Sequence, residues 1–351
     1  MRQFELSLLP WNVVFGAGSL SSLPARMDAL GFSRALVLST PQQSDSAERV
    51  AELLGPRACG TFTAARMHVP ATTAAAASAR ARELGSDCSV SIGGGSTTGL
   101  GKALALDPGI PLIAIPTTYA GSEMTNIWGM TEDGRKRTGR DSKVLPVLTL
   151  YDAELTLGLP LSVAGPSAMN ALAQATINAK DTRTNPVLMN LALEAIGAIA
   201  DGLPRIMCNP DDIEAREQVL YGASLAGAAL GAGVTSLHHR LCHTLGGSFA
   251  TPHAETHTIL LPYSVAYAAP AVPHLMKNIA AALGSAEAAG GIYDLATSAG
   301  LKTSLADIGI TADDLERIAD IATETDVPNP QPVSRAGVVG LLEQALAGKR
   351  P

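Results

Sequence analysis

The sequence predicts two domains, an α/β domain with a parallel sheet followed by an all-α domain. Up to residue 152, short apolar segments typical of buried strands alternate with alanine-rich amphipathic segments typical of helices. Strands and helices that alternate at this spacing form a parallel sheet with helices on both faces. From Ser167 onward, nearly every segment has helical periodicity. We therefore expect the α/β domain over residues 1–158 and the helical domain over residues 159–351.

Four strand-like segments and the helices between them define the predicted α/β domain. The strands are residues 34–39, 88–92, 111–115 and 144–152. The helices are residues 20–30, 46–54 and 73–84, with a short helix after the glycine run at 93–95. The segment 125–143 is polar and basic, which indicates an excursion such as a hairpin.

Composition and charge restrict the partners that the chain can have. Its 351 residues are long for one core, and 46% are hydrophobic against 16% charged. The formal net charge is -7, and the longest basic run is Arg135-Lys136-Arg137. Nucleic acid is therefore not expected as a partner, because phosphate binding needs a clustered positive field. A small anionic substrate is compatible, since a few cations in one cleft outweigh the net charge.

Cysteine usage and the N-terminus indicate a cytoplasmic protein. The four cysteines share no CxxC spacing, so we expect reduced thiols and no disulfide framework: Cys59, Cys88, Cys208 and Cys242. The first residues lack the basic-then-apolar order of a signal peptide. The apolar helical stretches carry polar residues and are expected to be too short to span a bilayer. No membrane partner is therefore predicted.

A run of three glycines follows the strand at 88–92 and begins a helix. Gly93, Gly94 and Gly95 allow the backbone to approach a pyrophosphate, and a helix N-terminus offers free N–H donors and partial positive charge. Ser96 and Thr97 can add hydroxyl donors. The alternative is a tight strand-to-helix turn, because the run does not have the GxGxxG pattern. Its place after a strand favours phosphate binding.

A second polar segment follows the next strand at its carboxyl end. Thr117, Thr118 and Ser122 lie in this segment. Ligands of open α/β sheets bind at that edge, so these hydroxyls can line a cofactor cleft. A capped helix start would use the same residue types equally well.

Five of the seven histidines lie within residues 238–257. His239 and His243 are four residues apart and share one face of a helix. His253 follows beyond the Gly246-Gly247 break, which can fold the chain back. Such a cluster predicts metal ligation, proton donation or anion binding rather than a purely structural role.

Together these segments resemble the iron-containing (group III) alcohol dehydrogenase family over nearly the whole chain. The residues that carry the resemblance are Phe15-Gly16-Ala17-Gly18, Gly93-Gly94-Gly95-Ser96, Pro116-Thr117-Thr118, Tyr151-Asp152, His239-x-x-x-His243 and Pro252-His253. The resemblance implies a Rossmann-like nucleotide-binding domain followed by an all-helical substrate domain, as in group III alcohol dehydrogenases and dehydroquinate synthases. It also implies a homodimer.

Longer matches are typical of one branch of this family, such as Leu38-Ser39-Thr40-Pro41-Gln42-Gln43 and Leu241-Cys242-His243-Thr244-Leu245-Gly246-Gly247. For that branch the resemblance implies reduction of 2-maleylacetate to 3-oxoadipate with NADH or NADPH, during degradation of aromatic compounds. Three alternatives stay open: a metal-dependent group III alcohol dehydrogenase, a related reductase of another unsaturated or oxo acid, and a non-catalytic nucleotide-binding regulator.

The metal positions of the family are altered in this chain. Metal-dependent members hold their ion with an aspartate and three histidines, and the matching residues here are Asn170, Gln174, His239 and His253. His243 matches an additional active-site histidine. Neutral amides are poor ligands for a divalent ion, and two imidazoles leave it under-coordinated. We therefore expect no catalytic metal.

The resemblance also implies roles for individual residues. His243 and His253 are expected to polarise the carbonyl or donate a proton, and His239 is expected to hold a substrate carboxylate. Further substrate contacts are expected from His68, Tyr119, Arg140 and His257. The expected cofactor contacts are Thr40, Gly93, Gly94, Gly95, Ser96, Thr97, Thr117, Thr118 and Ser122. Thr40 stands where relatives often carry an aspartate that repels a 2′-phosphate, so both NADH and NADPH should be used.

Overall fold

The computed structural model describes residues 3–132 and 135–351, which form two compact units. The α/β unit is Leu8–Leu159. The helical unit is Pro160–Pro351 together with residues 3–7 of the N-terminal segment. The family resemblance and the periodicity both predicted an α/β part followed by a helical part, and this fold class is confirmed.

The α/β unit is built on a parallel sheet. Its described strands are β1 (Val13–Phe15), β2 (Ala35–Leu38), β3 (Ala58–Phe62), β4 (Cys88–Gly93), β5 (Leu112–Pro116), β6 (Ile127–Glu132), β7 (Arg135–Arg140) and β8 (Leu148–Tyr151). Six of these strands pair in parallel in the order β1-β8-β5-β4-β2-β3. Strands β6 and β7 form the antiparallel hairpin that the polar segment predicted.

Helices cover both faces of this sheet. They are α1 (Leu23–Ala29), α2 (Ser44–Leu54), α3 (Ala71–Glu83) and α4 (Gly95–Leu106). Successive side chains of a strand point to opposite faces. Ala35 and Val37 of β2 accordingly lie in one core cluster with residues of α1 and α2, whereas Leu36 and Leu38 lie in another with residues of α3 and α4.

The helical unit consists of longer helices with alanine-rich contacts. They are α5 (Leu161–Ala179), α6 (Pro186–Cys208), α7 (Ile213–Ala232), α8 (Leu237–Ser248), α9 (His253–Ala268), α10 (Pro273–Ala282), α11 (Ala288–Ser298), α12 (Leu315–Thr323) and α13 (Arg335–Ala347). Every residue of α5 from Ala164 to Ala179 is buried. Leu241 and Leu245 of α8 share a core cluster with Ile259 and Tyr263 of α9, which fixes the helices that carry the histidines.

One helix corrects the expectation that the apolar stretches are too short to span a bilayer. Helix α6 has 23 residues and an 18-residue window of mean hydropathy 1.4. Its length and composition alone would therefore allow it to cross a membrane. Helices α7 and α8 are long and apolar enough to cross a membrane only when they are taken together, and they are bent by 98° relative to one another. The buried residues of α6 recur at helical spacing, among them Leu188, Ala192, Ile199 and Leu203. Core helices with one buried face meet the same criterion.

Candidate active site

The glycine run lies at the carboxyl edge of the parallel sheet, between β4 and α4. Gly93 pairs with Pro116 in the register of β4 and β5. The Thr117 backbone N–H donates to the Gly93 carbonyl at 3.0 Å, so the segments after β4 and β5 are adjacent. Gln43, which follows β2, donates from Nε2 to Thr117 Oγ1 at 2.8 Å. Three strand ends therefore meet where ligands of open α/β sheets bind.

Glycine is required at the first position of this run and is favoured at the second. Gly93 has a φ of +148°, and a Cβ there would lie 2.5 Å from Thr97 Oγ1 and 2.7 Å from Gln43 Oε1. A Cβ at Gly94 would lie 3.0 Å from two atoms of the Thr118 side chain. The backbone therefore passes close to neighbouring side chains just before α4 begins. The first backbone N–H groups of α4 have no acceptor within the helix and can donate to a ligand. These residues fit the pyrophosphate of a dinucleotide.

The remaining expected cofactor contacts lie along the same edge. Thr40 is extended and precedes the single 3-10 turn Pro41–Gln43 after β2. Thr97 is buried, and its Oγ1 has no hydrogen-bond partner among the described residues. No α-helix begins at Thr117 or Thr118 in this described segment. The only helical turn that follows them there is the 3-10 turn Ser122–Met124, and its N-cap is Gly121. The capped-helix interpretation of these threonines is therefore wrong.

Lys102 organises this segment and was not found from the sequence. Its Nζ is fully buried and donates to the carbonyls of Ser122, Thr125 and Ile127 at 2.7, 2.8 and 2.7 Å. Burial lowers the pKa of Lys102 to about 7. Glu123, also buried, accepts from the Tyr151 hydroxyl at 2.8 Å. The sequence did not indicate that this lysine is buried, since lysines within helices are usually exposed.

Three of the expected substrate contacts lie in the α/β unit. His68 is exposed with a φ of 63°, and its carbonyl accepts from Thr131 Oγ1 at 3.0 Å. Tyr119 is fully buried. Arg140 lies on β7 and donates from Nη1 to Asn126 Oδ1 at 3.1 Å. Their contact with a substrate stays a prediction.

The five clustered histidines are brought together by two helices of the helical unit. His238, His239 and His243 lie on α8, and His253 and His257 lie on the first two turns of α9. The ring centroids of His239 and His243 are 6.2 Å apart, and those of His253 and His257 are 4.5 Å apart. The His239 and His257 rings are separated by 5.8 Å, so the set is continuous.

A chain of hydrogen bonds fixes the tautomers of two buried histidines. The Ser264 hydroxyl donates to the Leu261 carbonyl at 2.9 Å, so its oxygen accepts from His238 Nδ1–H at 3.0 Å. Neutral His238 then accepts at Nε2, from the Nδ1–H of His257 at 3.0 Å. The Cys242 sulfur lies 3.6 Å from the same His238 nitrogen. His257 Nε2 is left as a bare acceptor, buried and without a hydrogen-bond partner in the described chain.

Burial keeps the inner histidines uncharged. It lowers the pKa of His238 and His257 well below the usual value. It lowers the pKa of His239 to about 3, with a smaller contribution from the positive charges of His243, His253 and Lys180. His243 and His253 are exposed and form the outer part of the cluster.

The donor set at the family's metal positions does not fit a tightly held divalent ion. Asn170 and Gln174 lie one turn apart on α5 and are both buried. With His239 and His253 they offer two imidazoles and two neutral amides, and no carboxylate.

A second group of possible ligands is explained by hydrogen bonding. His238, Cys242 and His257 offer atoms that all lie within 4.8 Å of one another. The hydrogen bonds of His238 account for this closeness, and burial raises the pKa of the Cys242 thiol well above its usual value. The thiol is therefore protonated at neutral pH in this arrangement, and the closeness of the three groups does not by itself indicate a metal site.

A cavity of about 430 Å³ lies beside α8. His239 and His243 both line it, and the Nδ1 of His239 is buried without a hydrogen-bond partner among the described residues. The rest of its lining comes from Thr235, Ser236, Arg240, Thr244, Ser248, Ile321, Asp326, Val327 and Pro328. The third expected catalytic histidine, His253, is not among these described lining residues. The cavity is large enough for a small organic acid.

A glycine cradle on a parallel sheet, followed by a helical unit with clustered histidines, defines a dehydrogenase-type oxidoreductase, and the chain belongs to the iron-containing alcohol dehydrogenase family. The family model described as iron-containing alcohol dehydrogenase matches residues 10–153. The model described as Fe-containing alcohol dehydrogenase family, C-terminal, matches residues 166–346.

Within this family the chain is similar to maleylacetate reductases over its whole length. It is 52% identical to the maleylacetate reductase of Burkholderia cepacia, over 97% of each chain. It is 49% identical to that of Sphingobium indicum, over 99% of each chain. The crystal structure of maleylacetate reductase from Agrobacterium tumefaciens has a TM-score of 0.97 at 47% identity and covers 100% of both chains.

Proposed function

We propose that this chain reduces the carbon–carbon double bond of 2-maleylacetate to give 3-oxoadipate, with NADH or NADPH as the reductant. The observation that carries the proposal is a cavity lined by His239 and His243 in a chain 52% identical to a maleylacetate reductase. The substrate is an enone with two carboxylates, so its site must bind anions, stabilise an enolate and supply a proton.

The α/β unit holds the cofactor in this proposal. Gly93, Gly94 and Gly95 place backbone amides against the pyrophosphate, and Ser96 and Thr97 add hydroxyl donors. Thr40 contacts the ribose, and because it carries no negative charge it does not repel a 2′-phosphate. When bound, the nicotinamide supplies a hydride to the substrate carbon.

Hydride addition moves an electron pair onto the carbonyl oxygen, and a proton then returns to the neighbouring carbon. His243, which lines the cavity, donates a hydrogen bond or a proton to that oxygen, and His253, the other exposed histidine of the cluster, is assigned as a second donor. His239 lines the cavity as a neutral imidazole and holds a substrate carboxylate.

His257 was expected to be a substrate contact, and the tautomer chain restricts which contact it can make. Its Nε2 carries no hydrogen in the tautomer chain, and a bare nitrogen cannot donate to an anion. In this state Nε2 serves only as an acceptor. His238 acts through it by fixing the tautomer.

The proposal includes no catalytic metal. The neutral amides of Asn170 and Gln174 support this assignment, since a carboxylate is missing from the four family positions. It also includes a cytoplasmic homodimer without nucleic-acid or membrane partners, which the family resemblance and the net charge of -7 support.

Alanine variants of the two outer histidines test the proposal. We expect His243→Ala and His253→Ala to lower kcat for maleylacetate by about 10²-fold or more, the usual contribution of a positioned acid. Lys277→Met, at an exposed position on α10, is the control and should keep wild-type turnover. Unchanged kcat in both histidine variants would remove them from the mechanism.

A further inference from the structure

Lys180 is a buried cation at the end of α5, beside the cavity. Its side chain is fully inaccessible, and none of the ion pairs of the described residues includes it. Its Nζ donates to Asn329 Oδ1 at 3.2 Å and to Ser236 Oγ at 3.4 Å, both neutral acceptors. The carboxylate that follows in sequence, Asp181, is bonded to Arg183 instead. A buried charge with only neutral partners is costly and is typical of functional sites.

Both acceptors of Lys180 belong to segments that line the cavity. Ser236 lines it directly, and Asn329 follows the lining residues Val327 and Pro328. Arg183 supports the same wall by donating from Nη2 to the Thr235 carbonyl at 3.2 Å. The positive charges of Lys180 and Arg183 therefore contact the residues that form this wall of the cavity.

The Ser236 hydroxyl is oriented by Lys180. An ammonium only donates, so Ser236 Oγ accepts from it and keeps its own hydrogen for another partner. Ser236 is the N-cap residue of α8 but makes no capping hydrogen bond. Its hydroxyl therefore remains a donor in a cavity wall, at a helix N-terminus that favours negative charge. One turn further along α8, the buried Nδ1 of His239 has no hydrogen-bond partner within the described chain.

We propose that Lys180 is a positioning residue that orients the Ser236 hydroxyl to bind one carboxylate of the substrate at the N-terminus of α8. The proposal rests on the proposed function only for the identity of the substrate, since any small dicarboxylate fits the same chemistry. Lys180 acts through Ser236, and it does not line the cavity itself.

The charge state of Lys180 gives this subsite a pH dependence. Burial lowers the pKa of Lys180 to about 8; Asp181 raises it and Arg183 lowers it further. From α8, His238 and His239 also lie within electrostatic range. Above pH 8 the neutral amine can accept the Ser236 hydrogen, so the hydroxyl no longer donates to the ligand. Carboxylate binding should weaken as pH rises through this value.

The test measures binding of maleate, an unsaturated dicarboxylate without the keto group, by calorimetry. The proteins are wild type, Lys180→Met, Ser236→Ala, the double variant and the exposed control Lys277→Met. We expect each single variant to raise the Kd of maleate about tenfold or more, as for loss of a hydrogen bond to a charged group. The double variant should bind about as weakly as Ser236→Ala, because the two residues act in series.

Kinetics and pH separate positioning from a structural role. For maleylacetate, KM should rise about tenfold in both variants while kcat changes much less. The maleate Kd of wild type should rise above pH 8, and that of Lys180→Met should not. Equal maleate affinity in wild type and both variants, or no maleate binding by wild type, would overturn the proposal. If wild type binds maleate through Lys180 yet oxidises no NADH with maleylacetate, the proposed function fails and the carboxylate subsite stands.

Discussion

The Nε2 of His238 lies 3.0 Å from the Nδ1 of His257, and the hydrogen between them belongs to His257. This assignment follows from Ser264, whose hydroxyl hydrogen is used by the Leu261 carbonyl and whose oxygen is therefore left for His238. One backbone carbonyl thus sets the state of two imidazoles. The inner histidines are held as neutral, oriented groups behind the exposed pair.

Removing the Ser264 hydroxyl should release this tautomer chain. In Ser264→Ala, His238 loses the acceptor for its Nδ1–H, so both tautomers become accessible to His238 and His257. We expect kcat to fall about tenfold, as for the loss of one hydrogen bond, with a smaller change in KM. Nitrogen NMR of histidine-labelled protein should show a bare His257 Nε2 in wild type and a mixture in the variant.

Ser298→Ala is the matched control for this substitution. Ser298 also donates to the carbonyl three residues earlier, at 3.0 Å, but it is exposed on α11 and contacts no histidine among its described partners. Its kcat and histidine spectra should stay those of wild type. A protonated His257 Nε2 in wild type would contradict the tautomer assignment.

The buried histidines should make the fold sensitive to acid. Burial lowers the pKa of His239 in the folded state to about 3, from 6.5 in the unfolded chain. Below pH 6.5 the unfolded chain binds a proton that the native state does not, so stability is full above pH 6.5 and is lost as pH falls toward 3. We expect His239→Gln to reduce the slope of unfolding free energy against pH by up to about 1.4 kcal/mol per unit.

Urea titrations at several pH values measure this slope. His274→Gln is the control, because His274 is exposed on α10 and faces solvent in both states. An unchanged slope in His239→Gln would show that His239 takes up a proton in the native protein.

Restoring the family's ligand types should create a metal site. Asn170→Asp with Gln174→His supplies a carboxylate and a third imidazole one turn apart on α5, which with His239 and His253 restores the ligand types of the family. We expect about one Zn²⁺ per chain in the double variant, measured by elemental analysis after dialysis, and far less in wild type and in Asn170→Asp alone. Stoichiometric, chelator-resistant metal in wild type would show that the amide set does hold an ion.

A carboxylate at position 40 should change the cofactor preference. Thr40 follows β2, and aspartate there would repel the 2′-phosphate of NADPH while accepting from the ribose of NADH. We expect the KM for NADPH to rise about tenfold or more, and the KM for NADH to change little. Ser44→Asp places the same charge at the start of α2 and should leave the ratio unchanged. An unaltered ratio in Thr40→Asp would place the ribose elsewhere.

The sequence predicted the central strands because each is a continuous buried apolar run. The two strands that were missed, β1 (Val13–Phe15) and β3 (Ala58–Phe62), are the edges of the sheet. Val13 is exposed, and every residue of β3 is only half-buried, so neither has the pattern of a buried strand. Of the strand predicted over residues 144–152, only residues 148–151 form β8. Residues 142–144, shortly before it, form a 3-10 turn.

Spacing along the sequence located the histidine cluster but not its internal order. The pairing of His238 with His257 depends on how α8 packs against α9, and on a serine seven residues beyond His257. Lys180 was missed for a related reason. Its place at the end of α5 is visible in the sequence, whereas its neutral partners lie 56 and 149 residues away.

Reduction of maleylacetate by NADH, followed with and without EDTA, tests the central claim most directly. The protein is first dialysed against the chelator, and the fall in NADH absorbance is compared with the 3-oxoadipate formed. The account predicts one 3-oxoadipate for each NADH, at the same rate before and after chelation. Absence of turnover, or turnover lost with EDTA and restored by Fe²⁺ or Zn²⁺, would contradict a metal-free maleylacetate reductase.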